Sequence, residues 1–358
     1  MKQAGFGTGH HAFRLPVPSA FLDGEPHSVQ VRVTGGDYAL GVPGGEQVLG
    51  TPAPPRPASD LPAPVVHRAI ELSVITPTYN RGTLMEESLG RYAACAKRVG
   101  AELIVIDDGS RDDTPARLQS LSTAHPNLVT ERVPNGGPAH ARNLAASLAR
   151  ARVLVFVGDD VMQVDDDFLS VHAAAHSKHS GIGTAVLGKI SGPSVAEMPV
   201  NFVMSHIQGE GEQQFGYRHM QAYYWFDWRL FYSSNISVKK AMVPDWLTDG
   251  YDSSFYLAAF GDPEFALRTT LRLQERGEEF GIDYVPAAQL VHHHPHTVAG
   301  FISRQVSVGM VTQRFLKLHP TRAADLGLHE LQQRLAIPPD AKPFPTEHYF
   351  SIFEGLKS

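Results

Sequence analysis

Cysteine is nearly absent: Cys95 is the only one in 358 residues. No intramolecular disulfide can form, so cysteine usage does not identify a compartment, and the thiol reads as a small buried hydrophobe. Long apolar runs are missing too. None reaches the ~18 to 20 residues that a membrane helix needs, and the opening MKQAGFGTGHHAF lacks the apolar stretch of a secretory signal. The expectation is a cytoplasmic protein with no membrane span, compatible with peripheral contact at the inner face of the membrane. Positive charge is in short supply: 31 Lys and Arg stand against 37 Asp and Glu, a net charge of -6. No basic stripe exists to neutralise phosphates, which argues against nucleic acid as a partner. What remains, 42% hydrophobic and 19% charged residues, suffices for one large core and a smaller module.

One seam divides the chain. Thr51 to Pro64, TPAPPRPASDLPAP, is too rich in proline to pack as an element and reads as a semi-rigid linker. Before it, HSVQVRVTGG alternates Val29, Val31 and Val33 ahead of a Gly-Gly turn, the pattern of a small β module over residues 1–50. The GFGTGH near the start is no dinucleotide fingerprint, because no strand precedes it and no helix pattern follows. The organisation expected is that module, a linker over 51–68, a main domain over 69–318 and a helical tail over 319–358.

In the main domain short apolar runs alternate with helical spacing. Leu72–Ile75 is stopped by TPTYN, Leu84 to Val99 is helix-like, Leu103–Ile106 is stopped by DDGSRDDT, Ala139 to Ala149 is helix-like, and VLVFVG is a third buried run. Such a pattern predicts a parallel sheet covered on both faces, with ligands at the carboxyl ends of its strands. TPTYN, DDGS and GDD all fall at such ends. A turn with a helix cap would account for DDGS alone. Asp159 and Asp160 are harder to explain as a turn: two adjacent carboxylates repel, and unless something positive is near, one stays protonated. The pair calls for a cation.

VITPTYNR, LIVIDDGSRDDT, NGGPAHARN and VFVGDDV, followed by FYSSNISVKK, FGDPEFALR and YVPAAQLVHHHPHT, resemble in order and interval the family 2 glycosyltransferases of GT-A fold, bacterial type, over roughly Ile70 to Leu318. The N-terminal block resembles, more loosely, small β modules that accompany bacterial glycosyltransferases. The resemblance implies an α/β fold with a mostly parallel sheet flanked by helices. It also implies a nucleotide-diphosphate sugar donor and a divalent cation, Mn2+ or Mg2+. Carried over position by position, the loop Pro77-Thr78-Tyr79-Asn80 would line the base, and Asp108 would accept a hydrogen bond from a ring N–H. Arg142 would lie near the nucleotide, a salt bridge to Asp107 or Asp108 being its structural alternative. Asp160 would hold the cation against the diphosphate, and Asp159 would contact ribose or metal. Family members commonly show Asp-x-Asp where this chain reads Gly-Asp-Asp-Val, which leaves open which carboxylate is the ligand.

In the second half Asp262 occupies the position of the catalytic base, with Gly261 replacing the usual Glu; Glu264 takes that part if Asp262 only caps the helix that Pro263 begins. His292 fits the histidine that completes the metal site, and His294, on the same side of an extended segment, is the alternate. The histidine run also raises a zinc hydrolase, but no His-Glu-x-x-His framework accompanies it. Arg304 begins a region that could close over the leaving diphosphate. Tyr223, Tyr224, Trp225, Phe226 and Trp228 either stack on an acceptor or pack in the core. The reaction expected is inverting transfer of a sugar to a hydroxyl of a saccharide or lipid-linked saccharide acceptor. A sugar nucleotidyltransferase would want glycines that TPTYNR lacks, and a non-catalytic sugar-nucleotide-binding protein is the reading that Gly261 leaves open.

Overall fold

The computed structural model describes residues 72–326, apart from 194–199, 209–214, 216, 218–219, 257–258 and 323, together with the pairs 27–28 and 48–49. The chain divides into two units, Met1–Val65 and Val66–Ser358. In the first, β1 (His27–Ser28) pairs antiparallel with β2 (Val48–Leu49). The Val29, Val31 and Val33 alternation, the proline-rich stretch and the tail beyond 326 lie outside the described residues.

The second unit alternates strands and helices from its start. They are β3 (Leu72–Thr78), α1 (Thr83–Arg98), β4 (Glu102–Asp107), α2 (Thr114–Ala124), β5 (Leu128–Arg132), α3 (Gly137–Leu148) and β6 (Val153–Val157). There follow β7 (Val161–Gln163), α4 (Phe168–Ser177), β8 (Thr184–Ser191), α5 (Phe202–Gln208), β9 (Trp225–Phe226), β10 (Asn235–Lys239), α6 (Trp246–Asp249), α7 (Gly261–Glu275), β11 (Gly281–His292) and α8 (Val298–Leu318). The nine strands from β3 onward form one sheet in the order β5-β4-β3-β6-β10-β8-β11-β7, with β9 attached to β11.

β5, β4, β3 and β6 are mutually parallel, as the continuous apolar runs predict. Alternation along each strand splits the core into two layers. Ile75, Ile104, Leu154 and Phe156 face α3 and α7; Val74, Leu103, Val105, Val153 and Val155 face α1 and α4. The ring of Phe156 lies 5.7 Å from Trp246 and 5.8 Å from Tyr251. Truncating so enclosed an aromatic costs about 3 to 5 kcal/mol. Beyond β6 the sheet turns mixed, since β10 runs antiparallel to both β6 and β8, and β7 and β9 run antiparallel to β11.

The connections give the sheet a switch point. From β3 the chain steps outward through β4 to β5, then returns to β6 on the other side of β3. The carboxyl ends of β3 and β6 therefore border a crevice, where open α/β sheets bind ligands. β11 delivers a second element there. It runs parallel to β8 from Gly281, breaks register between Tyr284 and Gln289, and ends on β7 with His292 opposite Val161.

Candidate functional site

The crevice is closed by Asp159 and Asp160, which with Gly158 form the three-residue connection between β6 and β7. Thr78, the last residue of β3, donates its hydroxyl to Asp159 Oδ2 at 2.7 Å. Ser88 Oγ in α1 donates to the Asp159 carbonyl at 2.8 Å, and Tyr92 OH donates to the Val161 carbonyl at 2.6 Å. Three side chains from β3 and α1 thus fix the backbone and rotamer of the acidic turn.

A cation does stand on the pair, and it belongs to the chain. Arg81 Nε lies 3.2 Å from Asp159 Oδ1, and Arg81 Nη2 lies 3.0 Å from Asp160 Oδ2. This residue closes the TPTYNR motif, and sequence reasoning missed it. The signal was the arginine itself, but its meaning depends on a contact spanning 79 positions. Burial opposes the charge on the guanidinium, and the two carboxylates outweigh it and hold Arg81 protonated. The carboxylates part company. Burial, reinforced by the charge of Asp160, raises Asp159 above the usual carboxylate range against Arg81 and Thr78. Burial would raise Asp160 as well, but hydrogen bonds from His292 and His294 and the charge of Arg81 hold it well below that range. One ionised and one readily protonated carboxylate is what adjacent like charges produce.

His292 Nε2 is 3.5 Å and His294 Nδ1 3.2 Å from Asp160 Oδ2. Their rings stack at 5.6 Å and 10°, so the two expected alternates point to one spot. Ligand atoms of Asp160, His292 and His294 lie within 4.8 Å of one another. His292 Nδ1 is buried with no hydrogen-bond partner among the described residues. One carboxylate and two imidazoles fit a divalent ion that accepts both oxygen and nitrogen, such as Mn2+, better than Mg2+, which prefers oxygen alone. Asp159, the other expected ligand, is turned toward Thr78 and Arg81.

The remaining expected residues fall around this centre unevenly. Pro77 is part-buried at the end of β3 and Tyr79 is 41% exposed. Asp108 is not an idle acceptor: its carboxylate takes the backbone N–H of Gly136 at 2.8 Å and of Gly137 at 2.9 Å, and the Asn135 amide at 3.1 Å. It ties the NGG turn to β4 at the start of α3, a structural use that the sequence did not reveal. Asp107 Oδ2, in contrast, is buried without a hydrogen bond among the described residues, Arg132 Nε lying 3.3 Å away at ion-pair distance only. Arg142 makes neither of the salt bridges considered for it; its guanidinium lies 5.6 Å from the Tyr251 ring centre, with a buried Nε that has no partner among the described residues. Arg304, on the first turns of α8, is part-buried, and burial lowers its pKa.

Asp262 does not cap its helix. α7 begins at Gly261 with Phe260 as the residue before it, and Asp262 Oδ2 instead accepts the backbone N–H of Ser233 at 2.8 Å. The next residue, Ser234, accepts Gly158 N–H through its carbonyl, immediately ahead of the acidic turn. Asp262 is thus carried to the same sheet end as Asp159 and Asp160. Glu264, two residues on, is 2% exposed and committed: Arg268 Nε lies 3.0 Å and His319 Nε2 3.3 Å from its Oε1. Of the aromatic segment, Trp228 is core at 7% exposure, whereas Tyr223 and Trp225 are exposed at 60% and 54%.

The model of Glycosyl transferase family 2 matches residues 73–235. The uncharacterized glycosyltransferase YfnE of Bacillus subtilis (strain 168) is 31% identical over 113 residues, which cover 32% of this chain and 29% of that protein. Validoxylamine A glucosyltransferase of Streptomyces hygroscopicus subsp. jinggangensis (strain 5008) is 35% identical over 107 residues, 28% of this chain and 25% of that protein. The chain therefore spans less than a third of the length of these curated relatives. Among solved structures, the mannosyltransferase PcManGT from Pyrobaculum calidifontis in complex with GDP-Man and Mn2+ superposes with a TM-score of 0.50 at 20% identity, over 84% of this chain and 78% of that one.

Proposed function

Residues 73–235 form a family 2 glycosyltransferase domain within a GT-A fold, and from that premise we propose that the chain transfers a sugar from a nucleotide-diphosphate sugar to an acceptor hydroxyl with inversion. The observation that carries this reading is the convergence of two differently equipped carboxylate sites on one sheet end. Asp160 with His292 and His294 makes a cluster whose ligand atoms could hold a cation. Asp262, tethered through Ser233, is a separate carboxylate that accepts a single hydrogen bond among the described residues.

The roles follow from what each group can do. Asp262 would take the proton of the acceptor hydroxyl as it attacks the anomeric carbon on the face opposite the diphosphate, worth typically ~10²- to 10⁴-fold. One displacement breaks the bond to the diphosphate and forms the new glycosidic bond, which inverts the anomeric centre. A retaining double displacement would need a second uncommitted carboxylate at the sugar, and Glu264 is held by Arg268 and His319. Asp160, His292 and His294 would hold a divalent cation, which would supply Lewis-acid charge beside the leaving diphosphate. Arg81, between the carboxylates, keeps the site from collapsing into mutual repulsion and orients Asp160 toward the histidines. Arg142 and Arg304, each without a carboxylate partner among the described residues, supply further positive charge for phosphates.

The donor is a nucleoside diphosphate sugar and the acceptor a saccharide or lipid-linked saccharide. Among the described residues no helix is long and apolar enough to cross a membrane. Calorimetry with UDP and GDP tests the donor site: affinity should depend on Mn2+ and fall in the Asp160→Asn variant. Equal affinity in Mn2+ and in chelator overturns the metal assignment. Proton NMR of the product anomer tests inversion, and a retained configuration overturns the single displacement.

A further inference from the structure

The start of β11, at the opposite end of that strand from His292, carries a cleft of about 840 Å3 that the reaction does not use. Lys178, His179, Trp225, Glu278, Glu279 and Gly281 contribute to its lining. Its floor is an exposed aromatic plane held in place. Trp225 is 54% exposed, yet a Cβ on Gly281 would fall 2.5 Å from indole Cε3, so the ring rests on the bare backbone of that glycine. The His179 ring meets it edge-on at 4.9 Å between centres. Asp283 secures both, pairing with Trp225 in the β9–β11 ladder and holding His179 Nε2 at 2.9 Å. Two residues earlier Tyr223 is kept at φ 62°, a conformation that bulky side chains avoid and that concentrates at functional positions.

The rim is polar and uncommitted. Asp227 is consumed by Arg229 at 2.6 Å. Lys178, Glu278 and Glu279 have no side-chain hydrogen bond or ion pair among the described residues. A rigid aromatic face stacks on the C–H face of a pyranose, and carboxylates accept its hydroxyl hydrogens. Two unpaired carboxylates against one lysine repel phosphates, sulfates and uronates. We propose that this cleft holds a neutral oligosaccharide, the distal part of an extended acceptor whose reacting end lies at Asp262. This rests on the glycosyl-transfer reading. Gly281 and Val291 pair with Thr184 and Ser191, seven steps apart on β8, so at about 3.3 Å per residue the two ends of the strand lie roughly 23 Å apart, and the occupant is not the sugar being transferred.

The test is binding of cello-, malto-, manno- and chitohexaose to the full chain, by calorimetry and by quenching of tryptophan fluorescence. At least one hexaose should bind, Trp225→Ala should weaken it at least about tenfold, and Trp225→Phe should retain most of the affinity. Affinity for UDP or GDP with Mn2+ should be the same in Trp225→Ala. Unchanged hexaose affinity in Trp225→Ala, or no hexaose bound by the wild type, overturns the proposal. Tighter binding of a heparin hexasaccharide than of any neutral hexaose overturns the ligand class. Absent nucleotide binding in a wild type that still holds a hexaose through Trp225 sinks the glycosyl-transfer reading and leaves the cleft standing.

Discussion

Arg81 bridges two carboxylates that would otherwise repel across a buried turn. Removing one partner of such a group costs about 3 kcal/mol, because the charges left behind have lost both water and counter-ion. Arg81→Ala should therefore lower the melting temperature in chelator, and Mn2+ should raise it by more than in the wild type, since the ion takes over the missing charge. Differential scanning fluorimetry checks this, and an equal Mn2+ shift in both proteins overturns it. Asp262 and Glu264 separate on opposite readouts. Asp262→Asn keeps an oxygen for the Ser233 N–H but loses basicity, so transfer should fall at least about 100-fold with the melting temperature nearly unchanged. Glu264→Gln removes the charge that Arg268 and His319 face, so it should lower the melting temperature and cost transfer far less. The reverse pattern moves the base two residues on. Asp160, His292 and His294 were legible because a carboxylate pair and a histidine run are rare in sequence. Arg81 and the turn-holding use of Asp108 were not, because an ordinary arginine or Asp-Gly turn gains its meaning only from a partner folded against it.

β3, β4 and β6 were legible as elements because each is an unbroken apolar run between turn residues, and α1 and α3 begin within two residues of where their spacing suggests. β10, β7 and β9 were not. NISVK, VMQ and WF are too short or too polar to mark a strand, and only their neighbours in the sheet complete their hydrogen bonds. What anchors β10 is a polar seam under α4. His172 spans Ser237 Oγ at 2.8 Å and Asn235 Oδ1 at 3.0 Å, and His176 Nε2 reaches the same Ser237 at 2.9 Å. Burial is the main cause that brings His172 down to about 4 and His176 down to about 3. Both rings are neutral in the folded protein, while the unfolded chain protonates them below about pH 6.5. Their contribution to stability is complete above that pH and is lost as pH falls toward 4, by up to roughly 1 kcal/mol per pH unit for each ring. Melting temperatures between pH 7 and 4.5 should fall less steeply in a His172→Gln, His176→Gln double variant. An unaltered slope assigns the acid sensitivity to other groups.

Among the described residues, the candidate site lies in one unit. Every strand of the nine-stranded sheet and every residue assigned a role lies between Leu72 and His319, inside Val66–Ser358. Among the described residues, the two core layers are built from that unit, β3 being their earliest contribution. Residues 1–65 supply a separate unit whose described portion is the β1–β2 pair. A domain that encloses its own core keeps its stability when a neighbour is removed. A chain beginning at Val66 should therefore remain soluble, unfold cooperatively within a few degrees of the full protein, and bind UDP or GDP with Mn2+ at the same affinity. Because β3 is a central strand flanked by β4 and β6, any support it drew from the N-terminal unit would be felt through the entire sheet. Circular dichroism showing an unfolded or broadly melting product would mean that the first unit helps hold β3 in place, and that the proline-rich stretch joins parts of one core. Intact folding with lost nucleotide binding would instead show that the donor site needs residues 1–65.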